Sequence, residues 1–194
     1  MNTGITEIPV GLFDYCVSLN NVENCFRGCD DLSVVPDDLF LYNTDIQFIS
    51  NCFRGTAELK VIPEGIFDSL FKVTSFSGCF RNSGIESLPD GLFNFNTNAL
   101  NFSSCFYNCY ALELNKSIFF FGDADATDRF KDSSVNFNNC FLLEDSELFV
   151  GSIGEAPELW LVDFGTGTPV KVGVFSGQTD QSVSNYSDIP ANWK

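Results

Sequence analysis

The dipeptide Cys-Phe recurs along this chain at a nearly constant spacing, and this repeat limits what the chain can fold into. A second motif, apolar-Pro-x-x-apolar-Phe, runs in step with it, although its fifth copy lacks the proline. A period of 26 or 27 residues is typical of leucine-rich and similar stacked repeats. The paired motifs span residues 8–13/25–26, 35–40/52–53, 62–67/79–80, 88–93/105–106 and 114–119/140–141.

One such repeat is too short to bury its own apolar face, so we expect successive copies to stack and build a continuous core. The chain has 22 phenylalanines, and most of them fall into three rows of this repeat. We therefore predict a β-rich parallel solenoid, leucine-rich-repeat-like, with about five repeats and a C-terminal cap. Strand candidates are residues 73–76, before a Cys-Phe pair, and residues 59–62, before a proline. The rows are Phe13, Phe40, Phe67, Phe93, Phe119 and Phe149; Phe26, Phe53, Phe80, Phe106, Phe141 and Phe175; and Phe76, Phe102 and Phe137.

The period breaks in two places towards the C-terminus. Nine residues are inserted between Phe119 and Cys140, and about 13 more follow Phe149, including residues 151–157 and 165–169. We predict a repeat array over residues 1–141, followed by a divergent last repeat and C-terminal cap over residues 142–194. Inserted residues in a solenoid form loops on one face, often the binding face, so both capping and ligand contact remain open.

Composition excludes several classes of function. The chain has no histidine, which removes Ser-His-Asp and Cys-His nucleophiles and any imidazole acid or base. A formal net charge of −16 argues against a nucleic-acid partner, because phosphate neutralisation needs clustered basic residues. We see no run resembling a membrane span and no signal-peptide pattern. Because the chain starts inside a repeat, we expect it to belong to a longer chain or an oligomer.

The motif Cys-Phe-x-x-Cys/Gly, followed by Leu-x-x-Ile-Pro-x-Gly-Leu-Phe, resembles the BspA-type leucine-rich repeats of bacterial surface proteins and phage tail-associated proteins. The resemblance covers residues 5–119 and returns near Val174-Phe175 and Ile189-Pro190. It implies a curved solenoid without catalytic residues or cofactors. We predict a receptor-binding or adhesion module on a virion tail or bacterial surface, with a host-cell protein or glycan as partner. A structural spacer is the alternative, and a carbohydrate-active enzyme is a distant third.

Three arginines follow Cys-Phe pairs, one per repeat, and stacking would align them; we call Arg27, Arg54 and Arg81 the arginine column. The column could bind an anionic polymer. Alternatively, each arginine could pair with nearby acids such as Asp30, Asp31 or Glu58, and we favour this second interpretation. Other candidate contact residues are Tyr107, which takes the arginine position in the next repeat, Tyr110, Phe120, Phe121, Thr166 and Thr168.

Two further sets of residues have a structural and a functional interpretation. Asp123, Asp125 and Asp128 alternate in a loop and make a weak calcium candidate, although the sequence lacks the EF-hand glycine and glutamate. Five cysteines share one repeat position, and Val174 takes that position in the last copy. This favours reduced packing residues over disulfides, and we predict neither a metal nor a cofactor.

Overall fold

The computed structural model describes residues 4–119 and 129–194. Its chain winds into coils that stack on one another, and each coil pairs with the next through single parallel bridges. Coils one to four follow the sequence repeat, with about 26 or 27 residues each. One line of bridges crosses six coils; its residues are Asn21, Phe48, Ser75, Asn101, Asn136 and Val170.

The prediction of a β-rich, leucine-rich-repeat-like solenoid is wrong. The described residues contain no strand and no helix of seven or more residues, and only 7% of the chain lies in bridges. Within residues 4–119 and 129–194, no helix is long and apolar enough to cross a bilayer. The helices described are four single-turn 3₁₀ helices: Ser146–Leu148, Leu159–Leu161, Tyr186–Asp188 and Ala191–Trp193.

Recurrent left-handed residues explain why strands do not form. In the predicted strand 73–76 only Ser75 makes a bridge, and Gly78 follows with a φ of 61°. Asn24, Asn51 and Asn139 hold the same position before a cysteine, with φ between 56° and 57°. A left-handed residue turns the backbone, and glycine and asparagine adopt it at little cost. Each extended segment therefore stops after one bridge.

The core consists of stacked phenylalanine rings, which confirms the predicted rows for most of their members. In the row that contains Phe26, Phe53 and Phe80, neighbouring ring centroids are 5.3–5.6 Å apart and the rings lie within 14° of parallel. In the row of Phe76 and Phe102, centroids are 5.9 Å apart. Offset-stacked rings at such distances attract one another by about 0.5–1.5 kcal/mol beyond the burial of their area.

Phe149 is the member of the predicted rows that the structure places elsewhere. It is half-buried and outside the core, whereas Leu159 is fully buried. Trp160 meets the ring of Phe175 edge-on, with centroids 6.1 Å apart. The alignment fails here because the inserted residues shift the register, so that a leucine and a tryptophan reach the core instead of a phenylalanine.

The last four residues cover the C-terminal end of the stack. The backbone N–H of Phe175 donates to the carbonyl of Trp193 at 3.0 Å, as each earlier Cys-Phe phenylalanine donates to the next coil. The Trp193 ring packs on Phe137 with centroids 6.3 Å apart, and Lys171 Nζ lies 5.0 Å from its centroid. An indole and an ammonium group thus occupy the place where a further aromatic rung would lie.

All eight cysteines are free, and six of them are buried. Burial raises the pKa of the Cys79 thiol to about 12 and that of Cys109 to about 11. These thiols are therefore protonated at neutral pH and pack as small apolar side chains, as the packing interpretation requires.

Native alkylation is expected to separate the two exposed thiols, Cys16 and Cys25, from the six buried ones. Iodoacetamide at neutral pH reacts with accessible thiolates, so intact-mass spectrometry should show two fast adducts. Cys16 should react before Cys25, because burial and Cys29 raise the pKa of the Cys25 thiol. The same reaction in urea serves as the control and should give eight adducts. Rapid native modification of Cys79 would contradict the buried ladder.

Candidate functional site

The arginine column forms on the surface of three successive coils. Arg27 is exposed, and Arg54 and Arg81 are half-buried. Each follows a phenylalanine of one stacked row, and the centroids of Phe26, Phe53 and Phe80 are 5.5 and 5.6 Å apart. The structure thus brings together the three cations that the repeat predicts, one per coil.

The predicted pairing of these arginines with acids is not formed. Among the described residues, three ion pairs form and all involve lysines: Lys60–Glu86, Lys72–Asp45 and Lys116–Glu155. Asp30, Asp31 and Glu58 make none with the column. Partial burial, followed by the neighbouring charges of Arg81 and Arg27, lowers the pKa of Arg54. Acids close in sequence therefore do not neutralise the column through ion pairs.

Tyr107 closes the column at its C-terminal end. The guanidinium carbon of Arg81 lies 4.2 Å from the centroid of the Tyr107 ring, a cation–π contact. The Tyr107 hydroxyl donates to Glu144, and Asn108 Nδ2 donates to the same carboxylate at 2.9 Å. These two hydrogen bonds lower the pKa of Glu144, and the bond to Glu144 raises that of Tyr107. A fixed negative charge therefore follows the third arginine.

Tyr110 lies near the C-terminal end of the column, in a surface groove of about 450 Å³ lined also by Asn82, Ala111 and Val150. The residues inserted after Phe149 form one wall of it, since the N–H of Val150 donates to the Tyr110 carbonyl at 2.9 Å. Partial burial raises the pKa of the Tyr110 phenol. The inserted segment is thus held against the preceding coil and does not project as a free loop.

Thr166 and Thr168 lie elsewhere on the surface, and their polar groups are used within the fold. The Thr166 hydroxyl and N–H both donate to Asp132 Oδ1, at 2.9 and 2.8 Å. The Thr168 N–H donates to Ser134 Oγ at 3.3 Å. Leu142 holds the arginine position of its coil, and Asp132 lies ten residues before Leu142. The structure therefore does not bring these threonines to the column.

Five predicted residues lie outside the described part of the chain: Phe120, Phe121, Asp123, Asp125 and Asp128. Residues 4–119 and 129–194 contain no cluster of three or more metal-ligating side chains.

A row of side chains that cap backbone carbonyls was missed from the sequence. Asn43 Nδ2 donates at 3.0 Å to the carbonyls of Phe13 and Cys16 in the coil before it. Asn96 repeats this two coils further on, at 2.8 and 3.1 Å, and Arg129 takes the role in the next coil. The signal was available, because Asn43 and Asn96 both follow a core phenylalanine by three residues.

No protein-family model matches the sequence, and no curated protein is detectably similar to it.

Proposed function

We propose that this chain is a non-enzymatic recognition domain that binds a host-cell surface protein or glycan. We place it on a phage tail or fibre, or on a bacterial surface protein, on the strength of the BspA-type motifs. One structural observation carries the proposal: three cations stand in register on the surface and form no ion pair with any described residue, although Glu144 lies within electrostatic reach of Arg81, in a chain with 26 acidic residues. A purely solubilising face would pair these charges or leave them dispersed.

A fluorescent-protein fusion of the chain should bind intact bacterial cells in flow cytometry. The variant R27Q/R54Q/R81Q should lose at least about tenfold in binding, since three charge-assisted contacts are removed together. The matched control K60Q/K72Q/K116Q removes the same charge from lysines that already pair with acids, and it should bind within about twofold of the native chain. Treating the cells with protease or with periodate distinguishes a protein from a glycan ligand.

Absence of binding to every bacterium tested would overturn the recognition function. Equal losses in the arginine and lysine variants would show that the column is not the contact. Circular dichroism of each variant checks that the fold is retained.

An assembly role is the second candidate, and the first coil favours it. Val10, Tyr15 and Val17 are 76%, 97% and 62% exposed, an unusual set of apolar side chains for one turn of the stack. This role predicts no binding to cells and a stable complex with a neighbouring chain on co-expression.

A further inference from the structure

The arginine column presents positive charge at a regular interval. The stacked rings that precede its residues repeat at 5.5 and 5.6 Å, so the backbone offers one cation at each such step. This interval is close to the length of one sugar unit in an extended polysaccharide. Each strand of B-DNA has one phosphate per about 3.4 Å along the axis, which is out of step with the column.

Apart from Glu144 at its C-terminal end, the column is flanked by uncharged hydrogen-bonding groups. Arg27 Nη1 donates to Asn24 Oδ1 at 3.3 Å, and Asn51 holds the corresponding place beside Arg54. Asn82 directly follows Arg81. Neutral amides beside a cation suit a ligand with hydroxyl groups between its charges.

The guanidinium groups of the column form no ion pair in the part of the chain that the structure describes. The Tyr107 ring holds the Arg81 guanidinium in place, and its buried Nε faces the protein and not the surface. Arg54 makes no ion pair and is flanked by like charges on both sides. An anion placed between these arginines would relieve that repulsion, and a side chain already held by an aromatic ring loses less freedom on binding.

We infer that the ligand is a linear anionic polysaccharide with one negative charge on each sugar, which lies along the arginine column in register with the coils. This inference rests on the recognition function proposed above. Glu144 limits the contact to three charged units, because its carboxylate would repel a fourth. The net charge of −16 does not prevent binding, since its repulsion is screened beyond about 8 Å at physiological ionic strength.

The test measures the affinity of the native chain for oligogalacturonates of one to six units by calorimetry. Affinity should rise with each unit up to three and then level off. Each single Arg→Gln variant of the column should bind the trimer about two- to fivefold more weakly, as expected for exposed charge pairs. The K60Q/K72Q/K116Q variant should match the native chain. The difference in affinity between the native chain and R27Q/R54Q/R81Q should shrink as salt rises from 0.05 to 0.5 M, because the Debye length falls to a few ångströms.

Other results would overturn the inference. These are equal binding of the methyl-esterified, neutral oligomers, no gain in affinity beyond one unit, or equal binding of oligothymidylate. Polygalacturonate and polymannuronate differ in linkage but not in charge per sugar, and binding of neither polymer would also overturn the inference. If the fluorescent chain still binds bacteria in that case, the recognition function stands and only the ligand class is wrong.

Discussion

Replacing Phe80 with alanine is expected to lower the free energy of unfolding by about 3–5 kcal/mol, the range for a large buried aromatic truncated in a core. Phe80 is fully buried in the middle of the stack. Its ring centroid lies 5.6 Å from that of Phe53, 5.5 Å from Phe106 and 6.0 Å from Phe67. In a stack of coils each unit contacts only its neighbours, so a cavity here weakens the interfaces on both sides.

Urea denaturation monitored by circular dichroism gives this loss, and Phe95→Ala is the matched control. Phe95 is 52% exposed and lies outside the three rows, so its truncation should change the free energy of unfolding by less than about 0.5 kcal/mol. A shift of the midpoint without a change in slope shows that stability has changed and not the denatured state. Equal losses in the two variants would contradict the assignment of the rows as the core.

The repeat rows could be predicted from the sequence because burial acts on every coil alike. Phe26 and Phe53 occupy equivalent places, so the same apolar residue recurs wherever the core recurs. Several phenylalanines fall outside the three rows. Of these, Phe130 is buried in the core, whereas Phe48 and Phe71 are 46% and 51% exposed.

The secondary structure could not be predicted from the same pattern. Short β-branched and aromatic runs such as residues 73–76 fit a strand, and only the backbone angles show that each run is interrupted. The residue before the Cys-Phe pair indicates where the extended segment ends, since Asn24, Asn51 and Gly78 all tolerate the left-handed conformation. A strand prediction that ignored these positions overestimated the length of every extended segment.

The period of the repeat predicts that the arginines of the column line up on successive coils. It does not predict which side chains these arginines contact. Whether Arg27 meets Asp30 depends on the direction of both side chains, which sequence spacing inside an irregular turn does not define. The repeat also gives no register across the insertion after Phe119, so the sequence does not predict the role of Arg129.

Arg129 is instead half-buried against the core. Arg129 Nη1 donates to the carbonyl of Phe93 at 2.5 Å and to that of Phe119 at 3.3 Å. Its Nη2 donates to the backbone carbonyl of Asn96 at 3.0 Å. The guanidinium carbon lies 5.0 Å from the centroid of the Phe130 ring. Burial lowers the pKa of Arg129 to about 10, so the side chain is still charged at neutral pH. One cation that follows the insertion thus satisfies carbonyls of two coils that precede it.

Arg129→Ala is therefore expected to lower the free energy of unfolding by about 3 kcal/mol or more, since each buried carbonyl left without a donor costs about 1–3 kcal/mol. Arg129→Lys should recover only part of the loss, because an ammonium group is a point charge and does not reproduce the planar fork. Arg27→Ala removes the same side chain from an exposed position and should change stability by less than about 0.5 kcal/mol.

Thermal and urea unfolding of the three variants test this ranking. If Arg129→Ala were no more destabilising than Arg27→Ala, Arg129 would not cap the carbonyls of Phe93 and Asn96. If Arg129→Lys were as stable as the native chain, charge alone would account for the effect. The expected order places Arg129 with Asn43 and Asn96, as a longer side chain that performs the same capping from a position after the insertion.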